Sequence, residues 1–147
     1  MSLQNLLKIG ALAEHVTDAQ QVNRMLTSAG RCIDDSRQPS ISLETRLDAA
    51  YRAVMQISMV ALWAHGLRPS KSAPGHHRTM IQSLTHSVGL DNDRMLVLDT
   101  FRVKRNAIDY TGEDVDVNSV ESCTEAADHL LQHLNQWLSE NRPDLLR

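Results

Sequence analysis

Apolar residues recur every three or four positions along most of the chain, which is the period of an amphipathic α-helix. The clearest run predicts a long helix from Ser42, its N-cap, to about residue 65, where Gly66 and Pro69 end it. One face of this helix carries Leu43, Leu47, Ala50, Tyr51, Val54, Ile57, Ser58, Ala61 and Leu62. A stripe of this length indicates a helix that packs against others in a core.

The same period and the capping residues predict the other helices. They fall at residues 2–15, from Thr17 to about 36, at 76–88, from Asp91 to about 110 and from Asn118 to about 140. Residues 67–75 are predicted to be a loop, and the tail from about residue 141 is predicted to fray. Helices joined by short loops pack as an antiparallel bundle. The sequence therefore predicts one all-α domain over residues 1–147, an antiparallel bundle of about four to six helices without a β-sheet.

Composition narrows the class of protein. Aromatic residues make up 3% of the 147 residues and hydrophobic residues 41%, so the core is predicted to be aliphatic. A net charge of -3 argues against broad, non-specific nucleic-acid binding and leaves room for a local basic patch. Cys32 and Cys123 match no metal or redox spacing. With neither a signal peptide nor a membrane-length apolar run, the sequence predicts a cytoplasmic protein without a cofactor or a membrane partner.

One cation lies on an apolar stripe of the helix that begins near Asp91. That stripe carries Arg94, Val97, Leu98, Phe101, Arg105 and Ile108. A guanidinium beside a core face needs partners, because an unpaired buried charge is costly. Two interpretations of Arg105 stay open. It is either an anion-binding arginine in a cleft, helped by Arg102 and Lys104, or an arginine that reaches solvent or pairs with Asp109 one turn later.

The residues that follow Arg105 form a compact polar segment. Five helical steps rotate by about 140°, so Arg105 and Tyr110 do not share a face of a continuous helix. Thr111 and Gly112 are able to end the helix here, which lets the Tyr110 ring turn back beside Arg105. This arrangement would gather a cation, an amide, a carboxylate and a phenol. The candidate site residues are Arg105, Asn106, Asp109 and Tyr110.

Three segments together carry a resemblance to a known family. They are RNAIDY at residues 105–110, RLDAAYRAV at 46–54 and GLRPSK at 66–71. The chain resembles the HEPN-domain family, small helical bundles of prokaryotic toxin, defence and nucleotidyltransferase-partner systems. The hallmark of that family is an arginine, a polar residue, three variable residues and a histidine. Arg105 and Asn106 match this hallmark, and Tyr110 stands where the histidine is expected.

The resemblance implies a homodimer that cleaves RNA without a metal, at a site shared by two protomers. Arg105 would neutralise a phosphate with help from Arg102 and Lys104, and Asn106 would orient it. The residue at position 110 would move protons, but a tyrosine with a pKa of about 10 is a poor base at neutral pH. The preferred hypothesis is therefore a module that binds RNA, a nucleotide phosphate or a cognate antitoxin or nucleotidyltransferase, with at most the weak activity of a degenerate metal-independent endoribonuclease of a toxin or defence system. The alternative is an active HEPN ribonuclease toxin.

The histidines offer weaker signals. Glu125, His129 and His133 recur every four residues, which is compatible with a metal-dependent bundle hydrolase, a further alternative. This row lies largely away from the apolar stripe of its helix, so a solvated face is the preferred interpretation and no metal site is predicted. His76 and His77 are either an exposed helix start or contacts for an anion, together with Lys71 and Arg78.

Overall fold

The computed structural model describes residues 2–71 and 75–146, and its secondary structure is predominantly helical. The helices are α1 (Leu3–Lys8), α2 (Ala19–Ser36), α3 (Leu43–Trp63), α4 (His76–Gln82), α5 (Leu84–Ser87), α6 (Asn92–Thr111) and α7 (Val117–Asn141), followed by a 3-10 helix at Pro143–Leu146. Two short strands are β1 (Leu12–Glu14) and β2 (Leu67–Pro69). The predicted all-α helical bundle is confirmed.

Helix α3 lies at the centre of the bundle. It makes its most extensive contacts with α2 and α7. In its C-terminal half the buried residues no longer fall on one face: Ala53, Val54, Met55, Ile57, Ser58, Val60, Ala61 and Leu62 are all buried. Ser42 caps the helix as predicted, since its hydroxyl accepts a hydrogen bond from the backbone N–H of Thr45 at 3.3 Å. The core is therefore arranged around one helix that is buried over most of its surface.

The prediction of no β-sheet is wrong. The helix predicted at 2–15 ends at Lys8, and Gly10 takes a left-handed conformation with φ of 80°. The chain then forms β1, which pairs antiparallel with β2, so that Leu12 faces Pro69 and Glu14 faces Leu67. Three-residue strands are too short to show a period of two, and their pairing is distant in sequence. Strand β2 occupies the start of the loop predicted at 67–75, and residues 72–74 of that loop lie outside the described residues.

Helix α6 begins and ends where its sequence predicts. Asp91 accepts a hydrogen bond from the backbone N–H of Arg94 at 2.8 Å, and Gly112 ends the helix with φ of 69°. The helix predicted at 76–88 is divided at Ser83 into α4 and α5. The N-cap of α2 is Asp18 rather than Thr17, and α7 begins at Val117, slightly before the predicted start.

The C-terminal tail packs on the bundle instead of fraying as predicted. Nη1 of Arg142 donates a hydrogen bond to the backbone oxygen of Ala64 at 2.6 Å. Leu145 is 2% exposed, and its 3-10 helix contacts α2 and α7. This burial supplies the apolar contact that holds the segment after Asn141 in place.

Two further features bear on the class of protein. Among the described residues, no helix has both the length and the hydropathy that a membrane span requires. The two cysteines are free, and burial raises the pKa of Cys123 to about 12, which keeps its side chain in the neutral thiol form.

We expect Leu145→Ala to lower the free energy of unfolding by about 2 kcal/mol or more, because it opens a cavity under the packed tail. The neighbouring Leu146, which is 44% exposed, supplies the control, and Leu146→Ala should change stability by less than about 0.5 kcal/mol. Urea unfolding followed by circular dichroism measures both. Equal, negligible losses would show that the tail is frayed.

Candidate functional site

Arg105 is held by residues of two helices. Its Nε donates a hydrogen bond to Oδ1 of Asp48 on α3 at 3.0 Å, and its Nη1 lies 3.8 Å from Oδ2 of Asp109 on α6. The guanidinium carbon sits 5.2 Å from the ring centroid of Tyr51, a cation–π contact. The side chain remains 31% exposed. Arg105 therefore pairs with Asp109, as one interpretation predicted, but its closer partner is Asp48.

The phenol beside Arg105 belongs to Tyr51 and is hydrogen-bonded to a histidine. Tyr51 is buried on α3, and its hydroxyl forms a hydrogen bond with Nδ1 of His77 at 3.2 Å. His77 is the second residue of α4, and its ring meets that of His76 edge-on at 4.7 Å between centroids. A continuous row of polar and aromatic groups thus runs from Asp48 through Arg105 and Tyr51 to His77. It joins helices α3, α6 and α4.

The protonation of this row follows from burial and from nearby cations. Burial raises the pKa of Tyr51 to about 12, although Arg105 and Arg102 act in the opposite direction. Burial also lowers the pKa of His77, and the neighbouring His76, Arg105 and Arg102 lower it further. Both Tyr51 and His77 are therefore predominantly neutral at pH 7. Both arginines thus favour the neutral imidazole of His77.

The other side of Arg105 is acidic. A cleft of about 320 Å³ opens there between α3 and α6. Its charged lining residues are Arg105, Glu44, Asp48, Asp109 and Glu113. Four carboxylates outweigh one guanidinium, so this side repels polyanions. An anion would reach Arg105 more readily from the side of Tyr51 and His77.

The structure separates Tyr110 from Arg105. Helix α6 continues through Thr111, so the two side chains point in different directions, and the Tyr110 ring is 90% exposed. The prediction that Tyr110 turns back beside Arg105 is wrong, because Tyr110 is still helical and its side chain is rotated by about 140° from that of Arg105. Tyr51 occupies the place beside the guanidinium instead. Asn106 and Asp109 are exposed on α6.

The two other predicted phosphate contacts have carboxylate partners. Nε and Nη2 of Arg102 donate hydrogen bonds to the two carboxylate oxygens of Asp99 at 2.7 and 3.3 Å. Nζ of Lys104 lies 3.4 Å from Oδ1 of Asp116. Their charges are largely balanced within the chain, which weakens them as phosphate ligands.

The histidine row of α7 is not assembled into a metal centre. Nε2 of His133 donates a hydrogen bond to the backbone oxygen of Val88 at 2.7 Å. His129 lines a small apolar cleft of about 130 Å³ between α6 and α7. In the described ranges, no group of three or more His, Cys, Asp or Glu side chains is placed to hold a metal ion.

Sequence reasoning did not identify Asp48 or Tyr51 as partners of Arg105, and for His77 it offered an exposed helix start or an anion contact but not the bond to Tyr51. The sequence did contain a signal, since Asp48 is a charged residue one turn before Tyr51 on a strongly apolar helix.

Comparison with known proteins identifies no relative of the chain, because no family model, curated protein or solved structure matches it. The geometry of the site itself therefore carries the functional argument.

We expect the pKa of His77 to lie below 6.5 in the folded protein and to rise in Arg105→Gln, because that variant removes a positive charge that favours the neutral imidazole. Histidine titration followed by NMR measures the shift. Arg94→Gln, on the same helix but paired with Asp91 near its start, is the control and should leave His77 unchanged. An unchanged or lower pKa in Arg105→Gln would contradict the assigned proximity.

Proposed function

We propose that the protein is a HEPN-like, homodimeric binding module that holds RNA or a nucleotide phosphate beside Arg105 and does not cleave RNA. The observation that carries the proposal is the cation–π contact between the Arg105 guanidinium and the Tyr51 ring, whose hydroxyl is hydrogen-bonded to His77. A planar guanidinium fixed in this way presents its remaining N–H donors in a constant direction. Planar, fixed donors are well suited to phosphate oxygens.

The carboxylates around Arg105 have a positioning role in this proposal. Asp48 uses the Nε donor of Arg105, which leaves both terminal nitrogens of the fork for a ligand, one of them near Asp109. The acidic cleft does not include His77, which is linked to the guanidinium through the Tyr51 ring. A phosphate is therefore expected to bind on the His77 side.

The absence of cleavage follows from the available proton carriers. Tyr110 is 90% exposed and points away from Arg105, so it does not reach a phosphate bound there. The phenol nearest Arg105 belongs to Tyr51, whose pKa is raised to about 12 by burial. Neither tyrosine is suited to take a proton from a ribose hydroxyl.

A second candidate, an active ribonuclease of a toxin system, is favoured by the position of His77. Its imidazole lies in the same row as Arg105 and comes from α4 rather than from the end of α6. Imidazole is the usual general base near neutral pH. This candidate ranks second because Tyr51 occupies Nδ1 of the ring and because the lowered pKa makes His77 a weak base.

The outer face of α6 supports the homodimer. Apolar and small residues follow one line along it at steps of four and three: Leu96, Thr100, Val103, Ala107 and Tyr110. Leu96 is 49% exposed, Val103 54% and Tyr110 90%. Apolar groups at this spacing usually pack against a second helix, which the described residues do not provide on this face. We call this line the α6 seam. A two-fold axis at Val103 would place Leu96 of one protomer against Tyr110 of its partner.

We expect Arg105→Ala to weaken binding of a short, fluorescein-labelled single-stranded RNA by about 1.5–3 kcal/mol, the usual loss for a hydrogen bond to a charged group. Arg105→Lys should restore part of the affinity, because an ammonium group cannot reproduce the planar fork. Fluorescence anisotropy at fixed salt measures both. Arg94→Ala is the matched control, since Arg94 is an exposed arginine of the same helix.

The same assay separates the two candidate functions. Wild type should bind without cleaving, and Tyr110→His should not gain metal-independent RNA cleavage, because the side chain at position 110 points away from Arg105. Cleavage by wild type that disappears in His77→Gln would establish the second candidate. If Arg105→Ala binds RNA as tightly as wild type, Arg105 serves the fold and the proposed anion site fails.

We expect the wild-type protein to be a dimer at micromolar concentration and Val103→Asp to be a folded monomer, because the new charge would be buried at the centre of the α6 seam. Multi-angle light scattering measures the mass. Val16→Asp is the control, since Val16 is 90% exposed outside the seam and should leave the dimer intact. A monomeric wild type would disprove the homodimer, and the seam would then be open to a different protein partner.

A further inference from the structure

A second groove lies close to the Arg105 row, where α3 ends and β2 and α4 begin. Its volume is about 510 Å³, which is in the range of small-molecule sites. The residues that matter for its chemistry are His15, Met59, Trp63, Arg68, Lys71 and His76. The groove therefore combines flat rings with cationic side chains, a mixture that the Arg105 cleft does not have.

The rings form a prepared stack. His15 and Trp63 lie 5.0 Å apart between centroids with only 18° between their planes. Oε1 of Gln21 accepts a hydrogen bond from Oγ1 of Thr17 and lies 3.2 Å from Nε2 of His15. A carboxamide oxygen only accepts, so the Nε2–H of His15 donates to it and the ring is fixed. Both rings are half-buried and line the groove, which gives a flat ligand a rigid surface for stacking.

The cations of the groove are not neutralised by carboxylates. Neither Arg68 nor Lys71 forms a salt bridge within the part of the chain that the structure describes. Nη1 of Arg68 donates a hydrogen bond to the backbone oxygen of Pro69 at 3.2 Å. None of the described lining residues is acidic. By contrast, Arg102, Lys104 and Arg105 each have a carboxylate partner. The groove thus holds cations that remain available to an anion.

We infer that this groove binds a nucleotide unit of single-stranded nucleic acid, with the base stacked on the His15–Trp63 pair and its phosphates at Arg68 and Lys71. Aromatic platforms beside cations are how proteins hold single strands without reading their sequence. A duplex would not fit this mode, because its bases are already stacked on one another. The inference rests on the proposed function, since a strand held at Arg105 supplies the neighbouring nucleotides.

The two sites are continuous. His76 lines the groove, and its ring contacts His77, which is hydrogen-bonded to Tyr51 under the Arg105 guanidinium. A strand that leaves the groove past His76 reaches His77 and then the Tyr51–Arg105 pair. The groove therefore extends the proposed Arg105 site by at least one base.

The fluorescence of Trp63 reports on the base directly. The chain has two tryptophans, so Trp137→Phe leaves Trp63 as the remaining one. Titration of this variant with a short oligoadenylate RNA should quench the Trp63 emission. An abasic strand of the same length should bind more weakly and quench little. Quenching that is equal for the two strands, or absent for both, would overturn the stacking role.

Binding measurements on two variants give the affinity. Trp63→Ala should weaken oligoadenylate binding by about fivefold to 150-fold, the range found for loss of one stacked base. If that variant does not fold, the double variant Arg68→Gln with Lys71→Gln tests whether the groove binds the strand. This double variant should flatten the slope of log affinity against log salt by about 1.4, because two phosphate contacts are removed. The control is Arg31→Gln combined with Arg52→Gln, which removes the same charge from a cleft that also contains Asp34 and Asp35.

The outcome distinguishes this inference from the proposed function. If Arg105→Ala weakens binding but the Trp63 and Arg68–Lys71 variants do not, the groove is not a nucleotide site and the Arg105 proposal stands. If only the groove variants weaken binding, the groove inference stands and the phosphate site at Arg105 fails. Normal oligoadenylate binding by all variants would overturn both and leave the groove to another ligand, such as an acidic peptide.

Discussion

The burial of most of the α3 surface is the constraint on which the rest of the structure depends. Val60, Ala61 and Leu62 are 0% exposed although successive residues point about 100° apart around a helix, so the C-terminal half of α3 has little freedom to move. Asp48 and Tyr51 belong to the same rigid helix, one turn apart. Their positions are therefore set by the core, and the core in turn sets where the guanidinium of Arg105 lies.

The contacts of Arg105 position the side chain more than they stabilise the fold. Its partners Asp48 and Asp109 are more than half exposed, and ion pairs of this kind contribute at most about 1 kcal/mol. A cation–π contact near the surface adds about 0.5–1 kcal/mol. These energies are small compared with burial of the aliphatic core. An arrangement that contributes little to stability but fixes a planar cation is what a binding site requires.

Sequence predicted the parts of the fold that depend on local chemistry. Ser42, Asp91 and Gly112 begin or end their helices as expected, because caps act within one turn. It missed what depends on distant partners: the pairing of β1 with β2, and the bond between Arg105 and Asp48, which are 57 positions apart. The error at Tyr110 lay in expecting its ring to turn back at the helix end, since Tyr110 is itself helical and follows the helical rotation away from Arg105.

The distribution of charge explains how an acidic protein could still bind a polyanion. With a net charge of -3, the chain offers no long-range attraction to nucleic acid. Salt bridges balance Arg102, Lys104 and Arg105, whereas Arg68 and Lys71 lie beside an aromatic pair with no acidic residue among the described groove lining. Few available cations mean few phosphate contacts, so affinity would depend weakly on salt and more on stacking. Such a surface favours a short single-stranded segment over a long duplex, whose many phosphates would meet the carboxylates of the Arg105 cleft.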